Sequence, residues 1–188
     1  MSATNSLHYK LCCEGAKWLR KQDYASYKIV VVELICIGAE NPDVWGTNGF
    51  NSILIEVKTS RADFLKDRKK FVRQTQGSKY ACGNMRYFLV PEGLVSPDEV
   101  PASWGLLEWK DDAISIIKQA QNIPCENHGE LAILCSIMRR EGLKNKIYNY
   151  PVSTAGWSGN PWTAPWPCRS CRAWACRTSS PSMPTTPG

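Results

Sequence analysis

Residues 41–58 read NPDVWGTNGFNSILIEVK, and this stretch decides the predicted fold. A Gly-Thr-Asn-Gly turn precedes an aliphatic run, which is typical of a β-strand entered from a tight turn. Side chains alternate along a strand, so Leu54, Glu56 and Lys58 are expected on one face. A hairpin at the turn would bring the Asp43 carboxylate back toward Glu56. Two neighbouring carboxylates suit a hard divalent cation such as Mg²⁺.

This stretch also carries a family resemblance. Pro42-Asp43 followed by Glu56-Val57-Lys58 resembles the signature of the PD-(D/E)XK nuclease superfamily, and the continuation TSRADFLKDRK at residues 59–69 is similar to the MmcB-like DNA-repair branch, near the Holliday-junction resolvases. The resemblance covers about residues 7–118. It implies a restriction-endonuclease-like core (αβββαβ) and a Mg²⁺-dependent endonuclease that hydrolyses DNA phosphodiester bonds, with Mn²⁺ as a substitute metal. Asp43 and Glu56 would hold the metal, and Lys58 would polarise the attacking water or the scissile phosphate.

The N-terminal region is expected to form an amphipathic helix over residues 6–21, because Leu7, Leu11 and Trp18 recur near helical spacing. Glu14 lies on or beside this apolar stripe. It either pairs with a lysine at the edge of the stripe or points toward the metal. Resolvase-like members of the superfamily have a metal-ligating Glu on the first helix, and Glu14 is the matching position.

A β-branched run over residues 27–38 predicts the first strand of the sheet. Glu33 interrupts this run, and a carboxylate there has to be paired, exposed or bound to a metal. An exposed or edge position is favoured, because Asp43 and Glu56 already supply the matched acidic pair. Glu33 is therefore a second-rank candidate ligand.

A basic helix is predicted directly after Lys58, with Ser60 as its N-cap and Asp63 in the capping-box position. A charge-rich helix face is usually only a solvated surface, but here it adjoins the candidate site, where a phosphate backbone would lie. The residues predicted to contact nucleic acid are Arg61, Lys66, Arg68, Lys69, Lys70, Arg73 and Gln74.

The later elements complete an α/β fold with a mixed central β-sheet flanked by helices. A strand is predicted over residues 85–91, a hairpin over residues 105–118 around Asp111-Asp112, and a last helix over residues 127–141. His128 at the start of that helix is interpreted as a neighbour of the cap and not as a ligand.

The composition changes at Pro151, which divides the chain into a nuclease-like domain at residues 1–150 and a tail at residues 151–188. The tail has seven prolines, four tryptophans and no acidic residue, so we expect it to be disordered. Its cysteines, Cys168, Cys171 and Cys176, lack a fourth ligand at the spacing of a structural zinc site.

Charge and hydropathy narrow the classes of function. The formal net charge is +6, which permits binding to a polyanion such as DNA. No membrane span or signal peptide is predicted, so a cytoplasmic protein with reduced cysteines is expected. DNA is the expected partner, and a homodimer is left open. The alternatives are a non-catalytic nucleic-acid-binding module on the same fold and an α/β domain in which Glu56 and Lys58 form an ordinary surface ion pair.

Overall fold

A mixed β-sheet of six described strands forms the centre of the protein in this computed structural model. The structure describes residues 6–22, 27–74, 80–124 and 127–143, and for residues 68–74 it describes the backbone without the side chains. These residues belong to one unit, Met1–Lys146. The tail at residues 151–188 lies outside the described residues, so its disorder and its lack of zinc stay predictions.

In the described part of the chain, three α-helices and six strands follow the predicted order, and a 3₁₀ helix (Pro97–Glu99) lies between the fourth and fifth strands. The helices are α1 (Leu7–Arg20), α2 (Arg61–Gln74) and α3 (Asn127–Arg140). The strands are β1 (Ile29–Val32), β2 (Val44–Thr47), β3 (Ser52–Val57), β4 (Met85–Pro91), β5 (Gly105–Lys110) and β6 (Ala113–Lys118). The order αβββαβ, followed by two strands and a helix, confirms the α/β class with a mixed sheet flanked by helices. No helix among the described residues combines the length and the apolar character that crossing a membrane requires.

The strands lie in sequence order across the sheet, and their directions bring several chain ends to one edge. The pairs β1·β2, β2·β3 and β5·β6 are antiparallel, whereas β3·β4 and β4·β5 are parallel. Val44 pairs with Val32 on one side and with Ile55 on the other. The end of β1, the start of β2 and the ends of β3, β4 and β5 therefore meet at one edge, which we call the carboxyl edge.

Each face of the sheet packs against its own apolar cluster. Leu54 belongs to a buried cluster with Phe64 of α2 and Ile133 of α3. Ile55 and Val57 belong to the opposite cluster, which contains residues of α1. The alternation predicted for β3 is therefore confirmed, and α1 covers one face while α2 and α3 cover the other.

Gly15 allows α1 to lie close against the sheet. A methyl group at this position would lie 3.3 Å from the side chain of Leu89 and 3.5 Å from that of Ile55, which is tight for a buried contact. The close approach places the middle of α1 directly against β3 and β4.

The first strand is shorter than its β-branched run predicts. It was expected over residues 27–38 but spans only Ile29–Val32. Its partner β2 begins at Val44, which pairs with Val32. The residues after Val32 therefore have no β2 residues with which to pair. Glu33 then takes a left-handed backbone conformation with φ of 47°, which turns the chain away from the sheet.

The local signals for caps and turns were predicted correctly. The Ser60 side chain accepts a hydrogen bond from the backbone N–H of Asp63 at 3.3 Å, as an N-cap does. Asp111 and Asp112 have φ values of 48° and 58°, which is the conformation of a tight hairpin turn between β5 and β6. Gly142 follows α3 with φ of 73°, as expected for a helix stop.

Candidate functional site

Asp43 is fixed against the strand that carries the motif. It directly precedes β2 at the carboxyl edge, and its Oδ2 accepts a hydrogen bond from the backbone N–H of Val57 at 2.7 Å. Its carbonyl oxygen accepts a hydrogen bond from the Glu33 N–H at 2.8 Å. Because Val57 lies between Glu56 and Lys58 in the sequence, these bonds hold the Asp43 carboxylate beside the motif. The structure therefore brings together the two halves of the motif, as the hairpin argument predicted.

Glu56 is a largely buried carboxylate beside Asp43, with 17% of its side chain exposed. Burial raises the pKa of Glu56, and the charge of Asp43 raises it further, to about 7, although Lys58 acts in the opposite direction. A bound cation would reduce the electrostatic repulsion between these two partly buried carboxylates. Their oxygen donors fit Mg²⁺ or Mn²⁺ by chemistry, so the residues present are compatible with the predicted metal.

Lys58 lies between two carboxylates and is only 5% exposed. Its Nζ is 2.6 Å from Oδ2 of Asp67 and 3.5 Å from Oε2 of Glu56. Burial acts to lower the pKa of Lys58, but the hydrogen bond to Asp67 and the charge of Glu56 outweigh it and raise the pKa above its ordinary value. Lys58 is therefore positively charged at neutral pH.

Asp67 is a member of the site that sequence reasoning missed. It lies in the second turn of α2, nine residues after Lys58. An acidic residue in the helix that follows a Glu-Val-Lys strand end is the signal that was available. Only the packing of α2 on the sheet shows that this carboxylate reaches Lys58.

A second group of side chains comes from α1 and the end of β1, and sequence reasoning named only one of its members, Glu33, as a candidate ligand. His8 Nε2 lies 3.4 Å from Asp43 Oδ2, and His8 Nδ1 lies 3.5 Å from Glu33 Oε1 and 3.6 Å from Cys12 Sγ. Ligand atoms of His8, Cys12 and Glu33 all lie within 4.8 Å of one another, so these residues could hold a metal ion. Burial is the main cause that raises the pKa of the Cys12 thiol above its ordinary range. The one-turn spacing of His8 and Cys12 could have identified the pair.

Glu14 has the lysine partner that one of the two sequence-based alternatives predicted. Its Oε1 lies 2.7 Å from Nζ of Lys17, one turn later on α1. At about 100° per residue, Glu14 lies about 120° around the helix from His8, the α1 residue that reaches Asp43. Its role as a metal ligand stays a prediction.

The basic residues of α2 have different surroundings. Arg61 Nη1 donates to Glu99 Oε2 at 2.9 Å and to the Leu94 carbonyl at 3.2 Å, so a phosphate would have to compete with these bonds. Lys66 is exposed. The other side chains predicted to contact nucleic acid lie outside the described part of α2; they are those of Arg68, Lys69, Lys70, Arg73 and Gln74.

Comparisons with known proteins bear on the fold. No protein-family model and no curated protein matches the sequence. Among solved structures, the fold is similar to that of the SPO1766 protein of unknown function from Silicibacter pomeroyi, with a TM-score of 0.52 and 19% sequence identity. The alignment covers 77% of this chain and 99% of that one. At this level of identity the likeness shows that the two chains share a fold, and it carries no information about activity.

Proposed function

We propose that this protein is a Mg²⁺-dependent endonuclease that hydrolyses phosphodiester bonds in DNA. The observation that carries the proposal is the meeting of Asp43 and Glu56 at the carboxyl edge, with the ammonium group of Lys58 3.5 Å from Glu56. Asp43 comes from the start of β2 and Glu56 from the end of β3, so two antiparallel strands supply one acidic pair. A resemblance in sequence motif and a convergence in space thus point to the same three residues.

The roles of the residues follow from their chemistry. Asp43 and Glu56 would hold the metal ion, which when bound neutralises charge on the phosphate and makes a bound water more acidic. The Val57 N–H fixes the Asp43 carboxylate, so little reorganisation is needed before the reaction. Lys58 would donate a hydrogen bond to the attacking water or to a non-bridging phosphate oxygen. Asp67 keeps Lys58 protonated and in position, which makes it a positioning residue for this step.

The environment of Lys58 favours a second candidate, a non-catalytic nucleic-acid-binding module. The Lys58 residue is only 5% exposed, and two carboxylates already accept hydrogen bonds from its ammonium group. A substrate phosphate would have to compete with these two carboxylates for the ammonium group. If Asp67 holds Lys58 permanently, the acidic cluster would be structural, and α2 would bind DNA without cleaving it.

A cleavage and binding assay separates the two candidates. Purified full-length protein would be incubated with linear duplex, nicked, branched and single-stranded DNA, with Mg²⁺, with Mn²⁺ or with a chelator. The nuclease proposal predicts metal-dependent cleavage of at least one of these forms. The binding-module alternative predicts DNA affinity that falls with salt and no cleavage under any condition.

A matched pair of carboxylate variants makes the assay specific. Glu56→Gln removes a candidate ligand with little change in shape. Glu92→Gln is the control, because Glu92 is an exposed carboxylate directly after β4 that also has a lysine partner, Lys110, at 2.8 Å. Cleavage that is lost in Glu56→Gln and kept in Glu92→Gln would support the proposal, whereas equal rates in both would contradict it.

A further inference from the structure

The side chains of His8, Cys12 and Glu33 have no role in the proposed hydrolysis, yet they converge beside it. His8 and Cys12 lie one helical turn apart on the same side of α1, and Glu33 follows the end of β1. Cys12 is fully buried, whereas 33% of the His8 side chain and 46% of the Glu33 side chain are exposed. The group therefore has one buried sulfur and an opening to solvent.

We propose that His8, Cys12 and Glu33 form a second metal site, which binds a divalent transition metal of the zinc type. His8 would bind through Nδ1, Cys12 through its sulfur and Glu33 through a carboxylate oxygen. The Cys12 sulfur binds as a thiolate, and its proton passes to solvent. With three protein ligands, a water molecule would complete a four-coordinate site.

The distances between the ligand atoms fit this assignment. Zinc bonds of about 2.0–2.3 Å place neighbouring ligands of a tetrahedral site about 3.3–3.8 Å apart. His8 Nδ1 lies 3.5 Å from Glu33 Oε1 and 3.6 Å from Cys12 Sγ, within that range. The third separation, between Cys12 and Glu33, is no more than 4.8 Å and requires only a small adjustment of an exposed carboxylate. The three atoms are therefore arranged close to the geometry that a metal ion would need.

The donor set separates this site from the proposed Mg²⁺ site. Imidazole and thiolate ligands favour zinc-type metals, whereas Mg²⁺ prefers oxygen ligands. His8 also stands between the two groups, because its Nδ1 faces Cys12 and Glu33 while its Nε2 lies 3.4 Å from Asp43. A metal-ligating histidine commonly has a carboxylate at its second ring nitrogen, which orients the ring. Asp43 is in that place.

Cobalt binding provides the test, because a Co²⁺–thiolate bond has a charge-transfer absorption band that oxygen ligands do not produce. The experiment uses the full-length chain with Cys168→Ser, Cys171→Ser and Cys176→Ser, since tail thiols would also bind cobalt. Co²⁺ is titrated into this protein, and Zn²⁺ is then added to displace it. We expect one equivalent of Co²⁺ with a thiolate band, displacement by Zn²⁺, and no displacement by an excess of Mg²⁺.

Four variants in the same background assign the ligands. His8→Gln and Cys12→Ser should lose the band, and Glu33→Gln should weaken Co²⁺ binding by at least the roughly 10- to 100-fold typical of an outer-shell loss. Cys13→Ser is the matched control, because it removes the neighbouring thiol and should keep the band. His8→Gln retains every thiol and changes a half-buried residue, so it remains informative if Cys12→Ser does not fold.

The outcomes are independent of nuclease activity. A band that is absent from the parent protein, or that survives His8→Gln, would overturn the second site even if the protein cleaves DNA. Glu56→Gln should keep the cobalt band, because Glu56 is not one of the three ligands. Loss of the band in Glu56→Gln would mean that the two groups form one site, which would also overturn the proposal.

Discussion

The Asp43 carboxylate accepts a hydrogen bond from the backbone N–H of Val57 at 2.7 Å. This bond links Asp43 directly to β3, the strand that carries Glu56. Val57 is fully buried, and its side chain packs in the cluster under α1. Asp43 therefore has a structural hydrogen bond in addition to its proposed role in binding the metal. A substitution at Asp43 can therefore affect stability as well as cleavage.

Asp43→Asn and Asp43→Ala should differ in stability but not in activity. Asparagine keeps an oxygen that can accept the Val57 N–H, whereas alanine leaves a buried donor unpaired at a cost of about 1–3 kcal/mol. Urea unfolding of the two variants measures this difference. Both should lose metal-dependent cleavage, because neither has a carboxylate at position 43. Equal destabilisation of the two variants would show that the charge, and not the hydrogen bond, matters for stability.

The metal-free protein should lose stability as the pH rises toward neutrality. Burial and Asp43 raise the pKa of Glu56 from its ordinary 4.5 to about 7, so the folded state retains a proton that the unfolded state has released. Between about pH 4.5 and 7 the contribution of Glu56 to the free energy of unfolding therefore falls as the pH rises, by up to about 3 kcal/mol. The contribution is constant above that window.

Glu56→Gln should remove this pH dependence and be more stable than the parent at pH 8 in a chelator. Urea unfolding at pH 5 and pH 8 measures the free energy of unfolding of each protein, with Glu92→Gln as the control. The free energy of unfolding of Glu56→Gln should exceed that of the parent by more at pH 8 than at pH 5. Glu92→Gln should have the same free energy of unfolding as the parent at both pH values. An unchanged difference at the two pH values would mean that Glu56 is not destabilised by its surroundings.

Lys58→Met should reduce cleavage far more than DNA binding. Its proposed role is to stabilise charge in the transition state, and the substitution loses at most one contact to the phosphate. Methionine keeps most of the buried side-chain volume, which limits the packing loss. Single-turnover cleavage rates and equilibrium binding to the same duplex give the two quantities. A parallel loss of rate and affinity would contradict a catalytic role.

Asp67→Asn complements that variant, because it removes the closest charge to Lys58 but leaves the lysine in place. If Asp67 is a positioning residue, the pH profile of cleavage should change, since its carboxylate helps to raise the pKa of Lys58. A uniform fall in rate at every pH would indicate only a structural effect.

Neutralising Lys69 and Lys70 together should weaken binding to all DNA sequences alike. Each lost phosphate contact should lower the slope of log affinity against log salt concentration by roughly one unit. Lys21→Ala is the control, because Lys21 follows the end of α1, at the opposite end of that helix from His8. An unchanged salt slope in the double variant would exclude this part of α2 from the DNA interface.

Local sequence signals predicted most of the fold. The Ser60 cap, the aspartate pair of the β5–β6 turn and the alternation along β3 depend on residues that are close in the sequence, so the pattern contains the necessary information. The length of β1 could not be predicted in this way. It depends on where the partner strand begins, and Val44 is twelve residues away from Val32.

The residues of the candidate site also differ in how far they could be predicted from local sequence. Asp43, Glu56 and Lys58 are linked by one hairpin, and their proximity follows from the turn between β2 and β3. Asp67 and His8 come from helices on opposite faces of the sheet, and only tertiary packing brings them to the carboxyl edge. The sequence pattern of a single helix does not show which strand end its polar residues will meet.

The most direct test of the nuclease proposal is the rate of DNA cleavage by the parent protein and by Glu56→Gln, measured in Mg²⁺ and in a chelator. We expect cleavage by the parent only with the metal, and a loss of activity in Glu56→Gln while its DNA affinity stays equal or rises, because a negative charge near the phosphate is removed. Cleavage by Glu56→Gln at the parent rate, or no cleavage by the parent with Mg²⁺ or Mn²⁺ on any DNA form, would contradict the account.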